Sequence, residues 1–536
     1  MGGDLELLCK PKTLSKDKTN PTDGSSVEIS LSYFTINVFF DGTWNNKYNN
    51  NMYREAKTFD ERAAIYKDGD GKTSYAREAT AVEWLFKGYK PSDNNIGVYI
   101  EGTGTFDNEK DSDLAAALGS GSKKGFGAKY DRALSLINQE LSQDGRASKV
   151  FDVLKLNIYG FSRGAASARW FSNRIRRDVK LLEFDKRLQP CQIQLGFIGI
   201  FDTVASVGFN HTNDTIEFEQ KLTPNALGPG DMDIPRSYKV IHITARDEAR
   251  TYFPVYEIKE SAVKNGFGLE FSLPGCHTDI GGGLNIKEAK VNGVVVTTGR
   301  DEIVDYVHER HNTDDISEDT VYNNKGDHHE GNAFLDNAIF TLLKQKHAAG
   351  EVDAKGLADL LVEWGYYDSW SEEKEFSIPD PVADKFESKL VLLDKSSYTR
   401  TDRLLSGYRH QIQLGFPRIP CNIMFEFATK YGEKNFTKFK DREESQVPPE
   451  LSAVYDEFKK KAFDLDNEAV SAKKGISADL FLDDKNTSRW LYKHYLHWSG
   501  DGKLLDAQLH KNGQWERTKV HAHNHYRNEE NNYEIT

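Results

Sequence analysis

FDVLKLNIYGFSRGAASARWFSNRIRRDVK, residues 151–180, is the stretch on which the fold turns. Residues 151–160 carry the apolar run of a buried strand, and a helical pattern begins right after Ser162. Between them lies Gly160-Phe161-Ser162-Arg163-Gly164, a G-x-S-x-G. That pattern becomes informative where a strand precedes it and a helix follows. A serine on so tight a turn holds a strained backbone and an exposed hydroxyl. Small flanking residues let the chains approach, and the Arg163 N–H at the helix start can donate to an oxyanion. The bland reading of the same five residues is a glycine-flanked turn with a chance serine.

Working outward, SYFTINVFF predicts a buried strand at about 33–40, closing on Asp41-Gly42-Thr43. Residues 45–75 are polar and read as a long loop. Ser74–Tyr89 has helical spacing through Ala79, Val82 and Leu85/Phe86. IGVYIEGTGT (96–105) predicts a second strand, GSGSKKGFG (119–127) a glycine-rich turn, and Tyr130, Leu134, Ile137 and Leu141 a helix. Further strands are expected at 193–201, 238–244 and 269–274. Strands alternating with helices predict a largely parallel α/β sheet, with the core at about 31–285. Residues 1–30 read as an extended arm. Beyond 285 the chain is charged and amphipathic: a hairpin is expected at VNGVVVTTG (291–299), a helix at 333–348, and a polar tail.

A serine is inert without a base and an orienting acid. In the α/β-hydrolase arrangement the order is Ser, then Asp or Glu, then His, each past a later strand. Asp202 directly follows GFIGIF, and His277 lies in GCHTDIGGG just past LEFSLP. Asp202 would hold His277 in one tautomer, and His277 would take the Ser162 proton. Each has a duller reading, Asp202 as a turn or helix cap and His277 as a residue crowded by glycines. His242 competes as base, but in mid-strand a satisfied core histidine is expected. Asp279 competes as orienting acid, or positions its loop. The second oxyanion donor comes from a loop after an earlier strand, which nominates the N–H of Gly42 or Thr43; a tight turn needing glycine explains the same residues.

Other signals are weaker. Asp68-Gly-Asp70-Gly-Lys72 starts like a calcium loop, but the twelfth position is Ala79 rather than Glu. His521-x-His523-x-His525 sits on a polar tail, and 119–127 lacks the G-K-[ST] of a phosphate-binding loop. The four cysteines form no C-x-x-C. No cofactor or metal is expected.

Composition narrows the function. A formal charge of −13 disfavours non-specific nucleic-acid binding and electrostatic docking on anionic membrane. With 12% aromatics the chain should fold despite a mean hydropathy of −0.64. The uncharged run Leu188–Phe201 is too short to span a bilayer. The N-terminus has neither the basic nor the apolar region of a signal peptide, and Glu6 breaks the myristoylation pattern. The expectation is a cytoplasmic protein in its producer that leaves, if at all, by a route independent of such a signal.

FFDGTWNN, YIEGTGT, GFSRGAASARWF, GIFDTVASVG, ITARDEAR and GCHTDIGGG, in that order, resemble the α/β-hydrolase-like domain of the lipase effectors of bacterial type VI secretion systems. The likeness is greatest to the subfamily carrying GFSRGA, and it covers about residues 33–285. It implies an α/β-hydrolase-like fold and a phospholipase A that cuts acyl esters of membrane phospholipids. It further implies Ser162 as nucleophile, Asp202 as acid, His277 as base, and an antibacterial role in the periplasm or on the membrane of target cells. A cognate immunity protein and a VgrG spike or adaptor are implied as partners. Residues 286–536 would form a mainly helical lid or membrane-engaging module that can return strands or helices to the core. Two other classes stay open on the residues alone. One is an esterase or acyltransferase acting on soluble esters; the other is a non-catalytic, secretion-associated binding protein.

Overall fold

The computed structural model describes residues 32–112, 124–143, 151–177, 192–205, 239–299 and 413–496, with short gaps inside these ranges. It also describes separate strand segments between 306 and 410 and at 519–521. The expected arm at 1–30, the Asp68–Lys72 turn and the expected helix at 333–348 lie outside the described residues.

The centre is a seven-stranded sheet. In chain order its strands are β1 (Tyr33–Phe40), β2 (Asn95–Ile100), β3 (Val153–Phe161), β4 (Gln192–Phe201), β5 (Lys239–Ala245), β7 (Gly268–Leu273) and β10 (Ile476–Asp479). In space the order is β10-β7-β5-β4-β3-β1-β2, and all six pairings are parallel. The predicted α/β class is therefore observed. The strand order reverses between β1 and β3, so a crevice opens beyond their C-terminal ends. Asp41 follows β1 and Ser162 follows β3, which puts both turns at that switch point.

Helices cover both faces, as a parallel sheet requires. On one face α3 (Phe126–Leu141) and α4 (Arg163–Arg177) bury Tyr130, Ile137, Ala165 and Phe171 against Ile36, Val38, Leu156 and Ile158. The helical spacing of Tyr130, Leu134, Ile137 and Leu141 is that buried stripe. The other face packs Phe39, Tyr159, Phe197, Ile241 and Phe271 under four helices. These are α2 (Ala81–Gly88), α6 (Arg418–Tyr431), α7 (Ser452–Ala472) and α8 (Lys485–His494). Three of the four come from beyond residue 413, and so does the edge strand β10. Residues 413–496 are thus a layer of the same core as residues 31–285. The three antiparallel strands Ser369–Glu373, Leu404–His410 and Glu387–Leu393 add sheet to a region read from sequence as mainly helical. A hairpin forms here from β8 (Ile286–Val291) and β9 (Val294–Gly299), its first strand lying ahead of the expected 291–299. Among the described residues no helix is long and apolar enough to cross a membrane.

Two elements differ from the sequence reading for identifiable reasons. α1 (Lys47–Glu55) stands where a loop was expected: Asn46 caps it, accepting from the Tyr48 and Asn49 amides. Its asparagines are poor helix formers, but their amides are buried and bonded. Asn49 donates to Ser74 Oγ and the Phe106 carbonyl, and Asn50 to the Arg77 carbonyl, so tertiary bonds outweigh propensity. α2, read as starting near Ser74, begins only at Ala81. Thr80 caps it by accepting the Glu83 amide, and residues 78–80 instead pair with the chain at 282–284.

A row of buried amides ties the middle of the sheet together. Asn157 Nδ2 donates to Asn37 Oδ1 (3.0 Å), Asn37 Nδ2 to Asn95 Oδ1 (2.9 Å), and the Phe197 amide to Asn157 Oδ1 (3.0 Å). The last bond sits where β3 and β4 slip register between Leu156 and Asn157. Asn157 thereby supplies the acceptor that the bulge removes from the ladder.

Candidate active site

Ser162 sits between β3 and the start of α4 with φ +58°. Among the described residues five non-glycines have positive φ, and two of them, Ser162 and Asp202, belong to this site. A left-handed backbone costs a non-glycine about 1–3 kcal/mol and persists only where neighbours over-determine it. Here they do. The Ser162 amide donates to the Phe201 carbonyl (3.1 Å), and the Ala165 and Ala166 amides donate to the Ser162 carbonyl. The elbow is thus bonded to the end of β4, one residue before Asp202.

Gly164 lets the next layer approach. A Cβ there would lie 2.3 Å from the Asp41 carbonyl oxygen. The turn after β1 therefore rests directly on the first turn of the serine's helix. Gly102 closes it from the other side, where a Cβ would lie 1.7 Å from the Gly42 carbonyl oxygen. Gly102→Ala must push this turn out of place. The expected cost is about 1–3 kcal/mol of stability together with loss of any activity that uses the turn. Chemical denaturation and turnover of the variant measure both, and unchanged turnover would mean that the turn has no catalytic part.

Asp202 is fully buried with φ +40°. Its Oδ1 accepts the Ala245 amide (2.8 Å) and its Oδ2 meets His277 Nδ1 at 2.5 Å. A carboxylate only accepts, so Nδ1 carries the imidazole proton and the Nε2 lone pair is the basic one. His277 is the first residue of a one-turn helix, α5 (His277–Gly281). Its ring packs 4.6 Å from that of Phe161, the residue before Ser162, and 5.1 Å from that of Phe253. The structure therefore joins Asp202 to His277 and sets Ser162 in the adjoining chain, between Phe161, whose ring packs on His277, and the Phe201 carbonyl. It also separates the competitors. His242 is wholly buried in β5 with both ring nitrogens bonded, and Asp279 Oδ2 accepts the Cys276 amide (2.8 Å), capping α5.

The oxyanion candidates divide. Arg163 is the first residue of α4. The Gly42 N–H, nominated from sequence, donates to Asp41 Oδ1 at 2.7 Å and so is engaged elsewhere. The Asp41 side chain folds back over its own turn and accepts that N–H, which leaves Thr43 as the candidate from this loop. Burial pushes the Asp41 carboxyl up to about 7, helped by the nearby Glu83 charge and opposed by hydrogen bonds from Tyr99, Thr80 and Gly42.

The sequence reading missed the residues that hold the His277 loop. Glu248 Oε2 accepts the His277 amide (3.0 Å) and Asp247 Oδ2 the Gly275 amide (2.7 Å). The Tyr492 hydroxyl, on α8, donates to Asp247 Oδ2 (2.5 Å) and receives Arg246 Nη2 (2.7 Å). Burial and the Asp247 carboxylate hold the Tyr492 hydroxyl well above its ordinary range, so it remains a donor. ITARDEAR was the available signal, since its Arg246-Asp247-Glu248 are these braces. The link to Tyr492 had none.

Fold and site together define an α/β-hydrolase-like protein whose serine stands on a strand-to-helix elbow. Residues 178–298 match the family model described as T6SS, Phospholipase effector Tle1-like, catalytic domain. The likeness drawn from the motifs is thus met independently in a span that contains Asp202 and His277 and begins after Ser162. No curated protein matches the chain. A solved structure described as the Tle1 effector bound to the VgrG spike of the type 6 secretion system is similar at 18% identity, with 91% of this chain and 89% of that chain covered and a TM-score of 0.49. An uncharacterized protein from Pseudomonas aeruginosa is similar at 20% identity over 47% of this chain and 42% of its own, with a TM-score of 0.29.

Proposed function

We propose that this protein is an antibacterial effector phospholipase A that hydrolyses carboxylic esters of membrane phospholipids through Ser162, His277 and Asp202. The observation that carries the reading is the Asp202–His277 hydrogen bond, made beside a serine held at φ +58° on a strand-to-helix elbow. The family match over 178–298 supports the phospholipase effector class. It also supports delivery by a type VI secretion system. A VgrG spike or adaptor as carrier and a cognate immunity protein in the producer are part of the same proposal. The site of action would be the periplasmic side or membrane of the target cell.

The chemistry follows from the geometry. His277 Nε2 takes the hydroxyl proton as Ser162 Oγ attacks the ester carbonyl carbon. Negative charge gathers on the former carbonyl oxygen, where the Arg163 and Thr43 amides are the donors. The tetrahedral adduct collapses, His277 returns its proton to the departing lysophospholipid oxygen, and the fatty acyl group stays on Ser162. Water, deprotonated by His277, then releases the fatty acid and restores the serine. Asp202 stabilises the imidazolium in both halves.

Fatty-acid release from phospholipid vesicles, wild type beside Ser162→Ala, tests this. The variant should lose about three orders of magnitude or more while keeping its thermal unfolding midpoint. Equal rates for the two proteins would remove Ser162 as nucleophile. Hydrolysis of short soluble esters with none of vesicles would instead make the protein a soluble-ester esterase.

A further inference from the structure

A second imidazole–carboxylate pair lies inside the sheet. His242 on β5 and Glu270 on β7 face each other across adjacent strands, with His242 Nδ1 2.8 Å from Glu270 Oε2. Both are buried. The other ring nitrogen, Nε2, is 3.1 Å from the Thr203 amide and 3.1 Å from Thr203 Oγ1. An amide N–H can only donate, so Nε2 is the acceptor and the Nδ1–H donates to Glu270 Oε2. The carboxylate is fixed in turn: Oε2 accepts the Ile258 amide (2.8 Å) and Oε1 the Ser477 hydroxyl (3.1 Å).

Thr203 is the residue after Asp202. At φ +40° Asp202 turns the chain out of the β4 ladder, and the Thr203 amide then points to an imidazole rather than to a strand carbonyl. The Thr203 carbonyl is also held, by the Tyr256 amide (2.9 Å) in β6 (Val255–Glu257). The Tyr256 carbonyl accepts Arg169 Nη1 (2.6 Å) from α4, the serine's own helix. Both backbone groups of Thr203 are therefore pinned, one of them by a side chain.

We propose that the His242–Glu270 pair is a positioning unit for Asp202: it supplies the acceptor that holds the left-handed turn in which Asp202 reaches His277. The proposal rests on the triad reading above. His242 touches no reacting atom and acts only through the turn it holds.

Two isosteric variants separate positioning from plain packing. His242→Gln can keep an acceptor at the place of Nε2 while losing the donor to Glu270. His242→Asn keeps a donor near the place of Nδ1 and loses the acceptor for Thr203. Positioning predicts that Asn lowers kcat about 10–100-fold with KM within about twofold, and that Gln stays within about threefold of wild type. In an Asp202→Asn background the His242→Asn effect should shrink to under about twofold, because there is no carboxylate left to place. Equal losses for Gln and Asn, or an undiminished loss in the Asp202→Asn background, would overturn the proposal.

An arm independent of turnover keeps it distinct from the lipase reading. The low-field proton resonance of His277 Nδ1–H, assigned by its loss in His277→Gln, should persist in His242→Gln and shift or vanish in His242→Asn. An unmoved resonance in both variants overturns the positioning role even if the protein is a phospholipase. A resonance that responds as stated upholds it even if no ester is cut.

Discussion

Asp202→Asn is expected to lower kcat by about four orders of magnitude while leaving KM and the fold in place. The size of the effect follows from which end of the new amide faces the imidazole. Asp202 Oδ1 accepts the Ala245 amide at 2.8 Å, and that N–H accepts nothing in return. The asparagine carbonyl must therefore stay on Ala245, and its NH2 group must face His277 Nδ1. A donor there forces Nδ1 to become the acceptor and sends the ring proton to Nε2. The base then presents an N–H to Ser162 where a lone pair is needed. Single-turnover acylation with a chromogenic ester reads the step directly, and an equilibrium unfolding curve checks the fold. A drop of less than about tenfold would show that Asp202 does not set the tautomer.

Asp41→Asn is expected to change how stability depends on pH. The Asp41 carboxyl is fully buried, and its pKa is raised from 3.8 to about 7. A raised carboxyl pKa means that the folded chain holds a proton which the unfolded chain releases. Stability from this group is therefore full below about pH 4 and is lost as pH rises toward 7. Each pH unit between those two values removes about 1.4 kcal/mol, so the loss reaches about 4 kcal/mol by pH 8. Asparagine is neutral throughout, its Oδ1 can still accept the Gly42 amide, and its NH2 faces the Tyr99 oxygen. The variant should match wild type near pH 4, exceed it by about 2 kcal/mol near pH 5 and by about 4 kcal/mol near pH 8, as read by urea midpoints at the three values. Parallel pH profiles for the two proteins would mean that Asp41 stays ionised in the fold.

Much of this was legible in the chain. Strands β1, β3, β4, β5 and β7 are apolar on both faces because helices cover both, so they read as continuous hydrophobic runs. The elbow was legible because strand, G-x-S-x-G and helix are contiguous, and Asp202 and His277 because each lies just past a readable strand. Some of what was hidden is contact between residues far apart in sequence. Tyr492 reaches Asp247 from 245 residues away, and Asn157 finds Asn37 across 120. The Gly42 amide was lost to a neighbour for a different reason: whether Asp41 folds over its own turn is a rotamer decision that spacing does not record. α1 was hidden by composition, since Asn49 and Asn50 oppose a helix until Ser74, Phe106 and Arg77 give their amides partners.

The layer formed by residues 413–496 sets the order in which the molecule can be finished. β10 pairs with β7, and α6, α7 and α8 seal a sheet face whose other six strands were made earlier. A chain emerging from the ribosome therefore carries Ser162, Asp202 and His277 for about two hundred residues before α8 can bring Tyr492 to Asp247. Through that interval Phe39, Tyr159, Phe197 and Phe271 have no cover from the C-terminal helices, the condition under which nascent chains recruit chaperones or aggregate. The same order makes breakage decisive. A product cut between residues 300 and 413 retains every candidate catalytic side chain and lacks the wall against which they are set.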